Sequence, residues 1–331
     1  MHAQPRPRPT GPGPHRAVTL LVALVAVGFL VYALVRTLGL ERGFPLVPLL
    51  AYAPLVLCAA PVALLGAALL RRWWSAAALA LAGVLLATAI LPRALDGGST
   101  AQEGPNLRLL TLNVHFGHTR PDTVVHLVRE HGVELLALQE VTPELAEGLD
   151  AAGLGDLLPY TVDHSAPAAA GGTVHSAHPL TDLGDVGHDI GSLAMPRAGL
   201  SVPGASRPVE VVSVHPMPPR RPSTMAAWQD GLRGLPATSD DTLRVLAGDF
   251  NATLDHAETR RVLDLGYVDA AAHLGQGLTG TWPVGAPLPK AAIDHVLVDD
   301  RVSVDELEIL DVPGTPHRAL VAGLTLPHGT V

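Results

Sequence analysis

The chain has a single cysteine, Cys58, in 331 residues. It falls in an apolar stretch near the N-terminus, so the polar remainder has no disulfide, no thiol nucleophile and no cysteine-ligated zinc site. Cations are scarce as well: after Pro105 there are 28 Asp and Glu against 14 Lys and Arg. That excess of acid repels phosphate backbones and disfavours duplex DNA as a substrate. Charge is almost missing from residues 17–91, where Arg36, Glu41, Arg42, Arg71 and Arg72 are the whole complement of Lys, Arg, Asp and Glu.

The mean hydropathy of +0.30 is therefore localised. The few charges divide residues 17–91 into blocks of about 17–35, 44–70 and 73–91, each near the ~20 residues that cross a bilayer. Soluble helices rarely stay apolar on every face for so long, and a cleaved signal peptide accounts for the first block alone. Pro48, Pro54 and Pro61 interrupt the second block, which is expected to span as a bent or tilted helix. Three transmembrane helices are thus predicted. Arg6, Arg8 and Arg16 before the first helix, with Arg71 and Arg72 after the second, place those ends in the cytoplasm. An odd number of crossings then puts everything after residue 91 on the extracytoplasmic side of the cell membrane. The blocks hold no intramembrane acid or histidine, which argues against an ion pathway and hence a transporter.

The resulting layout is a disordered cytoplasmic tail over residues 1–16, a membrane anchor over 17–92, a linker over 93–105 and a folded domain over 106–328. In that domain, apolar runs at 107–114, 133–138, 209–214, 243–247 and 293–298 predict buried strands. Residues 122–131 predict a helix, stopped by Gly132. The Ala/Gly/Pro-rich stretches 166–172 and 216–222 predict loops around a site.

Polar residues stand at the ends of the apolar runs. Asn113 closes the first; alone it would be a turn residue. Gln139 and Glu140 follow the second, where a carboxylate is costly unless paired or metal-bound. His215 closes the third, and as a lone histidine it would read first as structural. Gly248-Asp249-Phe250-Asn251 ends the fourth, with a carboxylate and an amide on one side of an extended chain. Asp294 lies inside the fifth, and His317 follows in Gly314-Thr315-Pro316-His317.

In this order, Asn113, Gln139-Glu140, His215, Gly248-Asp249-Phe250-Asn251, Ile293-Asp294 and His317 resemble the signature of the endonuclease/exonuclease/phosphatase superfamily, across residues 107 to about 326. The resemblance implies an α/β fold in which a two-sheet β-sandwich is flanked by helices, four layers in the manner of deoxyribonuclease I, here preceded by the three transmembrane α-helices. It implies divalent-metal-dependent hydrolysis of a phosphodiester or phosphomonoester: a lipid head group, a nucleotide or another organophosphate. Glu140, helped by Asn113, would hold Mg²⁺ or Mn²⁺. Asp249, oriented by Asn251, would position or deprotonate water; Asp294 would orient His317 and favour its imidazolium; His215 would contact the phosphate. Either Asp249 or His317 could be the base. Ser176 and Trp282 match family positions less tightly, Trp282 more as packing than as substrate stacking. The family usually has Asp before the final histidine, and here Pro316 stands there. The alternative is a membrane-tethered binding domain of the same fold with an impaired site. No protein partner is implied.

Overall fold

The computed structural model describes residues 14–98, 103–189 and 192–329. The predicted disordered tail lies outside them up to residue 13, as does the linker over residues 99–102. The chain forms two compact units, Met1–Leu40 with Ala53–Ala89, and Glu41–Tyr52 with Ile90–Val331.

The first unit is built from helices Pro14–Leu38, Ala53–Leu69 and Trp73–Ile90. Ala26, Ala67 and Ala76 let backbones approach around Leu79. Leu20, Leu24, Leu65 and Leu69 stay exposed.

The structure corrects the prediction of three transmembrane helices. Among the described residues, two helices are long and apolar enough to cross a membrane, His15–Leu38 and Trp73–Ala94. The second predicted block divides into a short helix, Leu46–Leu50, and a separate helix of 17 residues, Ala53–Leu69. Pro54 lacks the N–H that would extend the helical hydrogen bonds through Tyr52. The remaining 17 residues rise only ~26 Å, short of a ~30 Å hydrocarbon core. Val47 and Leu50 are instead buried, and their segment belongs to the second unit. With two such helices, the odd count of crossings and the outward placement drawn from it lose their basis.

Among its described residues the second unit contains twelve strands: β1 (Asn106–Asn113), β2 (Leu135–Gln139), β3 (Tyr160–His164), β4 (Gly172–Ser176), β5 (Leu180–Asp185), β6 (Pro196–Leu200), β7 (Val209–Val214), β8 (Leu243–Asp249), β9 (Tyr267–Asp269), β10 (Asp294–Asp299), β11 (Ser303–Asp311) and β12 (Arg318–Thr325). They form two six-stranded mixed sheets, in the orders β11-β12-β1-β2-β4-β3 and β5-β6-β7-β8-β10-β9. The runs predicted as buried strands are the central strands. On β1, Leu107 and Leu109 enter the core between the sheets, while Leu110 and Leu112 pack outward under helices. On β8, Val245 and Ala247 face inward and Leu246 outward. Burial on both faces explains why these strands read as unbroken apolar runs.

Helices Pro121–Glu130 and Pro143–Ala151 cover the first sheet, and Met225–Arg233 with Ala257–Leu263 cover the second. Pro121 starts the first of these, and Gly132, at φ +59°, turns the chain out of it as predicted. Two parallel pairs set up the site. β1 pairs with β2 and β7 with β8, so four C-terminal strand ends lie along one edge of the sandwich. The antiparallel β10 then brings Asp294 opposite Asp249.

The segment 41–52 is part of this unit's fabric. Val47 sits in the cluster of Trp228, Phe250 and Val262. Its carbonyl is 2.9 Å from His256 Nε2, and the Glu41 carboxylate accepts from the Ala257 N–H. Residues 93–98 are bound likewise, through an Arg93–Asp255 ion pair at 2.8 Å and a bond from the Gly97 N–H to the His273 carbonyl. Removing two buried methyl groups with Val47→Ala is expected to destabilise the unit by about 2 kcal/mol. Calorimetry of the full chain should show the main transition lowered by about 5 °C; an unchanged transition would separate this segment from the core.

Candidate active site

At the shared edge, the buried Asn113 amide ties the two sheets together. Its Nδ2 donates to Glu140 Oε1 at 3.0 Å, beyond β2, and to Asp249 Oδ2 at 3.1 Å, at the end of β8. Its Oδ1 accepts from the His115 N–H at 2.9 Å, and Glu140 Oε2 accepts from the Phe116 N–H at 2.8 Å. Four residues here adopt left-handed backbone: His115, Phe116, Glu140 and Asn251, with φ of +50°, +56°, +61° and +49°. Each such conformation costs ~1–2 kcal/mol in a residue with a β-carbon. Their concentration at one place marks strain held by the surrounding hydrogen bonds.

Beneath this layer, Gln139 Nε2 donates to Thr111 Oγ1 at 3.1 Å and, across the sandwich, to Ser213 Oγ at 3.0 Å. Ser213 Oγ donates in turn to the Leu138 carbonyl. Gly248 is required by the same close approach. Its φ is +154°, and a β-carbon would stand 2.2 Å from the Val214 carbonyl oxygen.

Across the sandwich, His317, just before β12 of the first sheet, places Nδ1 3.0 Å from Asp294 Oδ1 and Nε2 3.8 Å from Asp249 Oδ2, both carboxylates belonging to the second sheet. Thr281 Oγ1 accepts from the Ile293 and Asp294 N–H groups, while Thr315 Oγ1 accepts from the His317 N–H and donates to the Asn113 carbonyl. The Trp282 ring lies 6.3 Å from the His317 ring, with the Arg220 guanidinium 5.8 Å from the Trp282 centroid. His215 is buried, its Nε2 3.6 Å from Glu140 Oε1, and its Nδ1 has no hydrogen-bond partner.

Electrostatics divides the two histidines. Burial opposes the charge on His317, but the Asp294 and Asp249 carboxylates and the Asp294 hydrogen bond outweigh it and raise its pKa to about 9. Burial dominates at His215 and lowers its pKa to about 4 despite Glu140. Burial also raises the Asp249 pKa, against the pull of His317. At neutral pH the site holds an imidazolium at His317 and a neutral imidazole at His215.

Each site residue predicted from the sequence lies in this cluster: Asn113, Glu140, His215, Asp249, Asn251, Asp294 and His317. Asn251 serves Asp249 through its backbone N–H, 2.8 Å from Oδ1, while its side-chain amide donates to the Pro216 carbonyl. Ser176 is not among them. It pairs with Leu135 at the start of β2, the opposite end of the sheet, and its hydroxyl accepts from the His178 N–H. Sequence reasoning missed Thr281, Thr315 and Arg220. The threonines flank motifs already singled out, and only their hydrogen bonds show what they hold. The Pro316 carbonyl accepts from the Val284 N–H, so this position contributes backbone to the loop.

The donor set fits a divalent cation. Asp249 and Asp294 present carboxylate oxygens within 4.8 Å of each other and of a ring nitrogen of His317, which becomes a ligand atom only on losing its proton. Glu140 and Asp249 share one neutral donor, the Asn113 amide, which leaves two buried carboxylates under-neutralised. Oxygen-rich sites of this kind suit hard ions.

Residues 110–317 match the model of the endonuclease/exonuclease/phosphatase family, and the chain belongs to that family. Solved structures share its fold. An endonuclease/exonuclease/phosphatase from Beutenbergia cavernae is 19% identical, with a TM-score of 0.51 over 67% of this chain and 72% of that one. TDP2 of D. rerio, solved with a single-strand DNA product, is 14% identical, with a TM-score of 0.53 over 66% and 99%. A functionally unknown conserved protein from Enterococcus faecalis is 16% identical, with a TM-score of 0.50 over 66% and 99%. No curated protein matches the sequence. Family membership together with the Asp249, Asp294 and His317 cluster supports a metal-dependent hydrolase of phosphoester type.

Two outcomes test this geometry. In chelated protein, NMR of the imidazole nitrogens should show His317 protonated until pH approaches about 9 and His215 neutral until pH falls towards about 4. The stabilisation from His317 is complete below about pH 6.5 and is lost as pH rises through about 9; that from keeping His215 neutral fades as pH falls below about 6.5. A His317 that titrates near pH 6.5 would refute its pairing with the carboxylates. For Gly248→Ala, backbone strain and the clash with β7 should cost more than ~2 kcal/mol, read as a lower urea midpoint.

Proposed function

We propose that the chain hydrolyses a phosphodiester or phosphomonoester with Mg²⁺ or Mn²⁺. The observation that carries this reading is the meeting of Glu140 and His317, beside β2 and β12 of one sheet, with Asp249 and Asp294, on β8 and β10 of the other, where His317 is the single imidazolium. Glu140, helped by Asn113, would hold the ion, and the ion would supply polarisation of a non-bridging phosphate oxygen and charge neutralisation.

The remaining roles follow from protonation and position. Asp249, its pKa raised by burial, is suited to take a proton from water near neutral pH, with one oxygen held by the Asn251 N–H. His317, charged and fixed by Asp294, donates to a phosphate oxygen and stabilises the negative charge that gathers there. In this assignment Asp249 is the base, because an imidazolium has no lone pair for the proton. His215, neutral at working pH, offers a ring N–H to the phosphate without a competing charge.

The two long apolar helices, with their exposed leucines, support attachment to a membrane. The excess of acid in the catalytic unit supports a small or single-stranded substrate over duplex DNA.

The test is turnover of bis(p-nitrophenyl) phosphate by the full chain in detergent, with Mg²⁺ or Mn²⁺ and a chelator control. Glu140→Ala and His317→Ala are each expected to lower kcat/KM by about 10²- to 10⁴-fold, with the native fold of each variant checked by circular dichroism. Chelation should abolish activity, and added metal should restore it. Turnover indifferent to the chelator and to both substitutions would defeat the proposal. The absence of turnover across several phosphoester classes would leave a binding domain.

A further inference from the structure

Beside the cluster lies a concavity of about 250 Å³ that the family-matched residues close on only one side. Pro218, Pro219, Trp282 and Ile293 form that wall. The other is Phe44, Pro48, Ala51 and Tyr52, from the segment that the sequence had placed in a membrane helix. Val47 in the core and His256 at its carbonyl hold this second wall in place. The concavity is continuous with the chemistry. Asn251 lines it, and so does Trp282, whose ring adjoins that of His317. Arg220 supplies its one cationic side chain and leans over Trp282.

Apart from the Arg220 guanidinium, the Tyr52 hydroxyl and the Trp282 ring N–H, the lining offers a ligand little hydrogen bonding. Both His256 ring nitrogens face groups of the protein, Val47 O and Thr253, and the Asn251 amide donates to the Pro216 carbonyl. A nucleobase, with several donors and acceptors on its edge, would regain only some of its hydrogen bonds against a lining dominated by Phe44, Pro48, Ala51, Pro218, Pro219 and Ile293, whereas a hydrocarbon loses none. Tyr52 is followed directly by Ala53, the first residue of an apolar helix.

The geometry points to a lipid phosphoester as the substrate, its phosphate at Asn251 and His317 and its first chain carbons between Trp282 and residues 44–52. This rests on the phosphoesterase reading above and adds to it the class of substrate. The segment outside the family match then acts as a specificity wall, and Arg220 at the rim meets the anionic end.

A series of p-nitrophenyl alkyl phosphates separates the possibilities, because leaving group and reaction stay constant while the chain grows. With the full chain in lipid nanodiscs, the hexyl ester should exceed the methyl ester in kcat/KM by about tenfold or more. Ala51→Trp, which fills the concavity, should bring that ratio towards one, with Phe44→Ala as a milder second variant if the first melts early. A ratio near one in the wild type, or one unmoved by either variant, refutes the lipid assignment and leaves the phosphoesterase reading intact. A thymidine p-nitrophenyl ester that outruns the hexyl ester would give the concavity to a base. If no ester turns over above Glu140→Ala, the phosphoesterase reading fails. The concavity is then judged by thermal shift, where hexylphosphonate must stabilise the wild type more than methylphosphonate and lose that advantage in Ala51→Trp.

Discussion

Two buried carboxylates from opposite sheets share the amide of Asn113, and much of the second unit serves to make that contact possible. Like charges in a low dielectric repel, so neither Glu140 nor Asp249 would be tolerated there without a fixed donor between them and a cation within reach. The donor depends on β1 running parallel to β2. The placement of Asp249 depends on β8 running parallel to β7 and on Gly248, which lets β8 lie against Val214. Gln139 and Ser213 hold the two sheets in register directly below.

The same crowding sets the protonation of the histidines. His215 and His317 are both buried, yet their pKa values move in opposite directions, because Asp294 hydrogen-bonds His317 directly, with Asp249 adding a longer-range attraction, while His215 meets carboxylates only beyond hydrogen-bond distance. One imidazole becomes a cation and the other a neutral donor. A phosphate oxygen can use both: the cation answers developing charge, and the neutral ring adds a hydrogen bond without repelling that cation.

The chain's apolar N-terminal region shows how composition misleads when tertiary contacts compete for the same residues. By length and hydropathy, residues 44–70 look like a single spanning block. The short piece Leu46–Leu50 is drawn instead into the second unit, where Val47 meets Trp228 and Phe250. Burial in a protein core and burial in hydrocarbon reward the same side chains, so hydropathy alone does not distinguish them. Pro54 stands just past the break, at the second residue of Ala53–Leu69, where its missing N–H removes one helical donor to the preceding turn, whereas Pro61 is carried inside that helix.

The sequence by itself determined five of the strands, β1, β2, β7, β8 and β10, and the residues of the cluster, because apolar runs ended by Asn113, Glu140, His215 and Asp249 carry both the fold and the polar groups it delivers. It also determined the family, through the order of those motifs. Tertiary structure decided what local pattern does not encode. It placed residues 41–52 beside the site, gave Thr281 and Thr315 their partners, left Ser176 at the far end of its sheet and separated the two histidines in pKa. Each of these depends on which distant segments meet, and on how much water is excluded where they do.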